Sequence, residues 1–77
     1  MKNMKIKVET DEHGESNLDE IVGELERIGY KEVAVNQPAH YVQTNAKRGA
    51  YKIVHRGFAF NYLALTTLAE LKGMWDG

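Results

Sequence analysis

The sequence predicts an α+β fold: a two-layer sandwich in which two helices pack on one face of a mainly antiparallel sheet, in the order β-α-β-β-β-α. Two observations lead to it. Apolar residues alternate with charged residues near the N-terminus and then recur at helical spacing over residues 18–28. Further along, two strand-like segments flank a basic turn at residues 46–49. The 77 residues suffice for one domain, residues 1–77, with a single small core.

The first strand follows from a period of two. Met4, Ile6 and Val8 alternate with charged side chains, which is the pattern of a strand with one buried face. A polar loop at residues 11–16 follows it. His13 lies in this loop among acidic residues, and we expect it to be exposed to solvent.

The first helix is predicted from its apolar stripe and from the residues at its ends. Asn17 suits the N-cap position, and Glu20, three residues later, completes the pattern of a capping box. The helix spans residues 18–28, and Gly29 follows it as the C′ residue. Its outer face is acidic and is a candidate second interaction surface, formed by Asp19, Glu20 and Glu24.

Three further strands are predicted in the middle of the chain. Residues 30–36 alternate again, and Pro38 ends this strand because proline donates no ladder hydrogen bond. A hairpin follows, with strands at residues 40–45 and 51–56. If its loop has two or four residues, the numbers of paired residues sum to 95. The facing pairs are then Val42 with Ile53, Thr44 with Tyr51, and His40 with His55, while Tyr41, Gln43, Lys52 and Val54 share the other face.

A second helix is predicted over residues 62–72, with Asn61 as its N-cap and Gly73 at its end. Its apolar stripe consists of Ala64, Leu65, Leu68 and Leu71. The neighbouring aromatic side chains are expected in the core rather than in a stacking platform: Phe58, Phe60, Tyr62 and Trp75.

Charge is distributed unevenly along the chain. Residues 1–32 carry five basic and nine acidic residues, a net charge of −4, whereas residues 33–69 carry four basic residues and no acid, a net charge of +4. Such an asymmetry gives a molecule two electrostatic poles. The basic hairpin is therefore the predicted binding face, through Tyr41, Lys47, Arg48, Lys52, His55 and Arg56.

Several classes of function are disfavoured by the composition. The chain has no Cys, hence no disulfide framework and no thiolate metal site, and neither a metal nor a cofactor is expected. It has no Gly-rich phosphate loop, and Ser16 is its only serine. No secretory signal or membrane-length apolar stretch is visible. We therefore expect a cytoplasmic protein (of the host cell, if the chain is viral) without membrane contact.

One group of side chains has the chemistry for catalysis. His40 and His55 are expected to face each other beside Tyr41, Lys52 and Arg56. A neutral imidazole can take a proton from a ribose hydroxyl, and a cation can stabilise the charge that develops at phosphorus. These are the minimum requirements for RNA cleavage without a metal. The alternative is a pair of structural histidines at the open end of a hairpin.

Residues 18–73 resemble the HicA-type mRNA interferases. Leu18 to Tyr30 is similar to that family's first helix and the Gly-aromatic pair after it, and Tyr62 to Leu71 lies where the family has its last helix. Pro38-Ala39-His40-Tyr41-Val42 lies at the family's Gly-Ser-His segment, with Pro-Ala in place of Gly-Ser. The resemblance implies a double-stranded-RNA-binding-domain-like α-β-β-β-α fold and a catalytic role for His40 in an RNA-binding toxin of a toxin–antitoxin pair.

Three hypotheses of function follow. The first is a non-enzymatic binding module of the phage-type accessory inhibitor or regulator class, favoured because the chain is short and combines an acid-free basic face with an opposed acidic helix. It would occupy a protein or ribonucleoprotein surface, or RNA, through the hairpin at residues 40–56. A pI near 6.3 favours protein over nucleic acid. The second is a HicA-like ribonuclease. The third is a structural oligomer subunit, for example a homodimer joined at an exposed edge of the first or second strand.

Overall fold

The computed structural model describes residues 3–35, 39–55 and 63–74. Along the chain these residues form the strands and helices β1 (Met4–Lys7), α1 (Leu18–Arg27), β2 (Lys31–Val35), β3 (Tyr41–Asn45), β4 (Ala50–Val54), β5 (Ala64–Thr66) and α2 (Leu68–Lys72). The α+β class is confirmed. The order differs from the prediction by one additional strand, β5, which precedes the last helix.

The strands form one mixed sheet in the order β2-β4-β3-β1-β5. β3 is antiparallel to both of its neighbours, β4 and β1, whereas β2 pairs with β4 and β5 pairs with β1 in parallel. The sheet is thus mixed, where a mainly antiparallel one was predicted. The reason is that α1 carries the chain back so that β2 runs parallel to β1, and the β3–β4 hairpin then inserts between them. β1 is an interior strand because β5 pairs with its other side, and β2 lies at an edge.

The core lies between one face of the sheet and the two helices. The sheet contributes Met4, Ile6, Val42, Tyr51 and Ile53, and the helices contribute Ile21, Leu25 and Leu71. Each fully buried side chain of this size stabilises the fold by roughly 1.5–3 kcal/mol. α1 and α2 also contact each other. Both helices therefore cover the same face of the sheet, as predicted.

The start of α1 is held by a different contact from the one predicted. Asn17 makes no side-chain hydrogen bond to the helix, so the capping box is not formed. Its Oδ1 instead accepts a hydrogen bond from the backbone N–H of Glu9 at 2.7 Å. Its own N–H donates to the carbonyl of Glu9 at 2.9 Å. These two bonds fasten the preceding loop to the helix start.

The end of α1 agrees with the prediction to within one residue. Gly29 has φ 107°, a left-handed conformation that favours glycine. Its N–H donates to the carbonyl of Glu26 at 3.2 Å, and the N–H of Tyr30 donates to the carbonyl of Leu25 at 2.9 Å. This pair of bonds is a Schellman motif, and the buried side chains of Tyr30 and Leu25 supply its usual hydrophobic contact.

The predicted helix over residues 62–72 is a strand and a shorter helix in the structure. β5 pairs with β1 over residues 64–66, and α2 begins only at Leu68. Thr67 is the N-cap: its Oγ1 accepts a hydrogen bond from the backbone N–H of Glu70 at 3.1 Å. A helix beginning earlier would lose both this cap and the ladder with β1. The predicted N-cap Asn61 and the aromatic residues Phe58, Phe60, Tyr62 and Trp75 lie outside the described residues.

The hairpin has the predicted register. Val42 pairs with Ile53 and Thr44 with Tyr51, so paired residue numbers sum to 95 across a loop at residues 46–49. The edge strand β2 has a β-bulge between Glu32 and Ala34. Among the described residues, neither helix has the length and apolar character that crossing a bilayer requires.

Candidate functional site

The tip of the hairpin is a well-supported turn that exposes two cations. Gly49 has φ 62°, and its N–H donates to the carbonyl of Ala46 at 3.2 Å. The N–H of Arg48 donates to Oδ1 of Asn45 at 3.3 Å. Lys47 and Arg48 are both exposed. The loop therefore presents their side chains on a backbone whose conformation is fixed by hydrogen bonds.

A second support comes from outside the hairpin. The N–H of Ala46 donates to Oδ1 of Asn3 at 2.8 Å, a bond between residues that are far apart in the sequence. One residue later, the N–H of Met4 donates to Oγ1 of Thr44 at 3.0 Å. The N-terminal segment before β1 thus holds the first residue of the turn in place.

A cleft of about 520 Å³ lies beside this turn. Most of its lining residues on the strands belong to the face of the sheet opposite α1 and α2, and Thr44 and Tyr51, which alternate onto the helix-covered face, also line it. Three cations among the described residues line it: Lys47, Arg48 and Lys52. Its other lining side chains on this face are Asn3, Gln43, Asn45, Val33, Ala50 and Leu63. None of the described residues that line it is acidic. The cleft thus joins three of the predicted binding residues to a set of amide and apolar side chains.

The charges of the tip are not neutralised by the acidic first helix. Within the described ranges, no carboxylate oxygen lies within 4.0 Å of the charged nitrogens of Lys47 or Arg48. The acids of α1 contact other bases. Glu24 pairs with Arg27 at 3.1 Å, and Glu20 pairs with Lys72 at 3.3 Å.

The acidic face proposed as a second surface is therefore partly engaged within the molecule. Glu24 is bound by the guanidinium of Arg27, which also donates to the carbonyl of Met74 at 3.0 Å and so links α1 to the end of α2. Glu20 of α1 contacts Lys72, the last residue of α2. Of the three predicted acids, Asp19 has no ion pair within the described part of the chain.

Two further cations lie on the face of the sheet opposite α1 and α2, outside the described lining of the cleft. Lys5 and Lys7 come from β1, which lies beside β3. Lys5 pairs with Gln43, and Gln43 pairs with Lys52, so these three residues form one row across the sheet. The Nζ of Lys5 lies 5.5 Å from the ring centroid of Tyr41. The alternation of residues 4–8 already placed both lysines on the polar face of β1, but only the strand order brings them next to the hairpin.

His40 and His55 form a separate group at the other end of the hairpin. Their ring centroids are 4.6 Å apart in an edge-to-face arrangement, and both residues are half-buried. The strand between His40 and the tip is five residues long, which places the pair roughly 17 Å from the turn. Arg56, the cation predicted beside them, lies outside the described residues. The structure thus separates the cleft cations from the histidine pair, and Tyr41, which contacts Lys5, does not line the cleft.

Tyr51 supports the cleft from behind. Its side chain is buried on the helix side of β4, and its hydroxyl group donates to Oε2 of Glu26 at 3.0 Å. Burial, the hydrogen bond to Glu26 and the negative charges of Glu26 and Glu32 together raise the pKa of the Tyr51 phenol to about 12, and burial is the largest of these causes. The phenol is therefore neutral at physiological pH and acts as a structural donor that joins β4 to α1.

No group of three or more His, Asp or Glu side chains within the described ranges has a geometry suited to a metal ion. Comparison of the chain with protein-family models, with curated proteins and with solved structures finds no significant match.

Proposed function

We propose that this protein is a small binding module that acts without catalysis, by covering an acidic surface of a protein partner with its basic hairpin. In the cytoplasm, or that of a host cell, this is the activity of a phage-type accessory inhibitor or regulator. One observation carries the proposal: Lys47, Arg48 and Lys52 converge on a cleft in which no described lining residue is acidic. Surfaces of this kind attract anionic groups and steer their approach.

The fixed turn makes the hairpin suitable for recognition. Its backbone is held by Asn45 and Asn3, so little backbone conformational entropy is lost when Lys47 and Arg48 are bound. The guanidinium of Arg48 can bind a carboxylate through two parallel hydrogen bonds. A pI near 6.3 lies below the range of typical nucleic-acid-binding domains, which supports a protein as the partner.

The test is affinity capture from native lysate with the wild-type chain and the charge-reversal variant Lys47→Glu/Arg48→Glu. We expect the wild type to retain a protein that survives nuclease treatment and is released by salt, and the variant to lose it. Lys7→Glu, an exposed lysine of the same face that does not line the cleft, is the matched control. Equal capture by the charge-reversal variant would contradict the proposal, and capture lost on nuclease treatment would assign RNA as the partner instead.

A metal-independent ribonuclease of HicA-like type is the second candidate. The contact between His40 and His55 supports it, since two adjacent imidazoles can act as general base and general acid. The test is RNA cleavage in EDTA by the wild type and by His40→Ala, with His13→Ala as the control because His13 is exposed in a distant loop. This function is ruled out if the wild type does not cleave RNA, or if His40→Ala cleaves RNA as well as the wild type does.

A further inference from the structure

The cleft beside the hairpin turn has the lining of a small-molecule site. Its volume of about 520 Å³ lies within the roughly 300–1,000 Å³ that is usual for ligand pockets. We propose that it binds a small organic phosphate, with the phosphoryl group between Lys47, Arg48 and Lys52 and the apolar part of the ligand against Val33 and Leu63. The proposal goes beyond the docking of a protein partner, because it requires only the isolated chain.

The strand order gives the cleft a floor and two walls. The floor is formed by β4 and β3, which contribute Lys52 and Gln43 as a directly paired couple. Val33, from β2, lies on one side of this floor, and Leu63, which precedes β5, lies on the other. Val33 is 62% exposed, so its side chain is accessible to the apolar part of a ligand in the cleft.

The charge of the cleft matches a phosphate better than a carboxylate. A phosphate monoester carries a charge of about −1.5 to −2 at pH 7, whereas a carboxylate carries about −1. Three cations converge here, and the planar fork of Arg48 matches two phosphate oxygens. Lys52 is half-buried beside Gln43, which is 2% exposed, so its charge interacts with a ligand in a medium of lower dielectric than water.

The amide side chains add donors to the same site. Oδ1 of Asn3 accepts from the N–H of Ala46, and Oδ1 of Asn45 accepts from the N–H of Arg48. The NH₂ group of each amide carries only donor capacity, which suits an acceptor such as a phosphate oxygen. The hydrogen bonds that fix the turn therefore also orient these two side chains at the cleft.

The experiment is a titration of the isotope-labelled full chain, followed by backbone amide chemical shifts, with phenyl phosphate as the probe. Inorganic phosphate, phenol and benzoate are the comparison ligands, because each carries one part of the proposed chemistry. We expect saturable shifts at residues 45–52 and at Leu63. We also expect phenyl phosphate to bind roughly tenfold more tightly than any of the three comparison ligands.

Two variants test the assignment of the cations. Lys47→Gln/Arg48→Gln is expected to weaken binding of phenyl phosphate by roughly tenfold or more, since it removes two charge-assisted contacts. Lys7→Gln removes one exposed cation elsewhere on the same face and is expected to leave the affinity unchanged.

Three results would overturn the proposal. They are the absence of saturable shifts in the millimolar range, binding of benzoate as tight as that of phenyl phosphate, and equal weakening by Lys7→Gln. Because the titration contains no partner protein, its failure leaves the capture experiment unaffected. Conversely, failure of the wild type to capture any nuclease-resistant protein, together with saturable phenyl phosphate binding, would reject the protein partner and retain the ligand site.

Discussion

At the scale of single residues, Tyr51 shows how one side chain couples the sheet to the first helix. Its phenol is buried and donates to Glu26, and its pKa of about 12 exceeds the value near 10 of an unfolded tyrosine. As the pH rises above about 10, the unfolded chain ionises while the folded chain keeps its proton. The contribution of Tyr51 to the free energy of unfolding is therefore fully present below about pH 10 and is lost as the pH rises through about 12.

We therefore expect the free energy of unfolding, measured by chemical denaturation, to decrease by about 2–3 kcal/mol between pH 10 and 12 because of this residue. Tyr51→Phe should lack this component, at a cost of about 1 kcal/mol at neutral pH for the lost hydrogen bond. Tyr41→Phe, on the opposite face of the sheet, is the control and should behave as the wild type. A Tyr51→Phe protein with the wild-type loss above pH 10 would contradict this role.

Substitution by alanine is expected to destabilise the protein at one glycine and to stabilise it at another. Gly49 has φ 62° in the hairpin turn, so Gly49→Ala places a Cβ in a left-handed conformation and should destabilise the protein by about 1 kcal/mol. Gly23 lies within α1, and a Cβ added there meets no atom within 4 Å. Gly23→Ala should stabilise by about 0.5–1 kcal/mol. Thermal unfolding of both variants checks the pair, and equal shifts would reject the conformational argument.

At the scale of elements, the segment after residue 62 shows where periodicity is ambiguous. Ala64, Leu65, Leu68 and Leu71 have the spacing of a helical stripe, yet Leu65 is 59% exposed and lies in β5. Short apolar runs fit helix and strand equally well, and here the ladder with β1 decides between them. That ladder joins residues about sixty positions apart, so no local pattern contains it.

Thr67 sets the boundary between β5 and α2. Thr67→Ala removes the hydroxyl that accepts from the N–H of Glu70 and should cost about 1 kcal/mol. Thr67→Ser keeps the acceptor oxygen and should retain most of that stability. Urea denaturation measures the difference between the two variants. Equal stabilities would show that the cap contributes nothing to the position at which the helix begins.

The hairpin, by contrast, was predictable because its determinants are local. A basic turn between two alternating segments sets the register, and the pairing of Val42 with Ile53 follows from it. The cations of the turn were identified for the same reason. The position of Lys5 and Lys7 next to Tyr41 could not be predicted in this way, since it depends on β1 pairing with β3, a contact between distant parts of the chain.

At the scale of the whole molecule, insertion of the hairpin between β1 and β2 makes β3 and β4 the interior of the sheet. β3 forms ladders with β4 on one side and with β1 on the other, and Val42 and Ile53 are buried against both helices. β5 has three residues, and α2 has five. The cationic turn is therefore attached to the most extensively paired strands, and the C-terminal part of the described chain to the least paired ones.

This arrangement predicts a gradient of amide hydrogen exchange. The amides of β3 and β4 should exchange only by global unfolding, since no smaller opening exposes a strand that is paired on both sides. The amides of β5 and α2 should exchange at least roughly tenfold faster, because few contacts hold these two elements in place. These contacts include the ladder with β1, the Thr67 cap and the hydrogen bond from Arg27 to Met74. Arg27→Ala should accelerate amide exchange in α2 and leave exchange in β3 unchanged. Lys7→Ala, a substitution of an exposed residue, is the control. Equal protection of β5 and β3 in the wild type would mean that the last strand belongs to the same cooperative unit as the hairpin, and the gradient would then be absent.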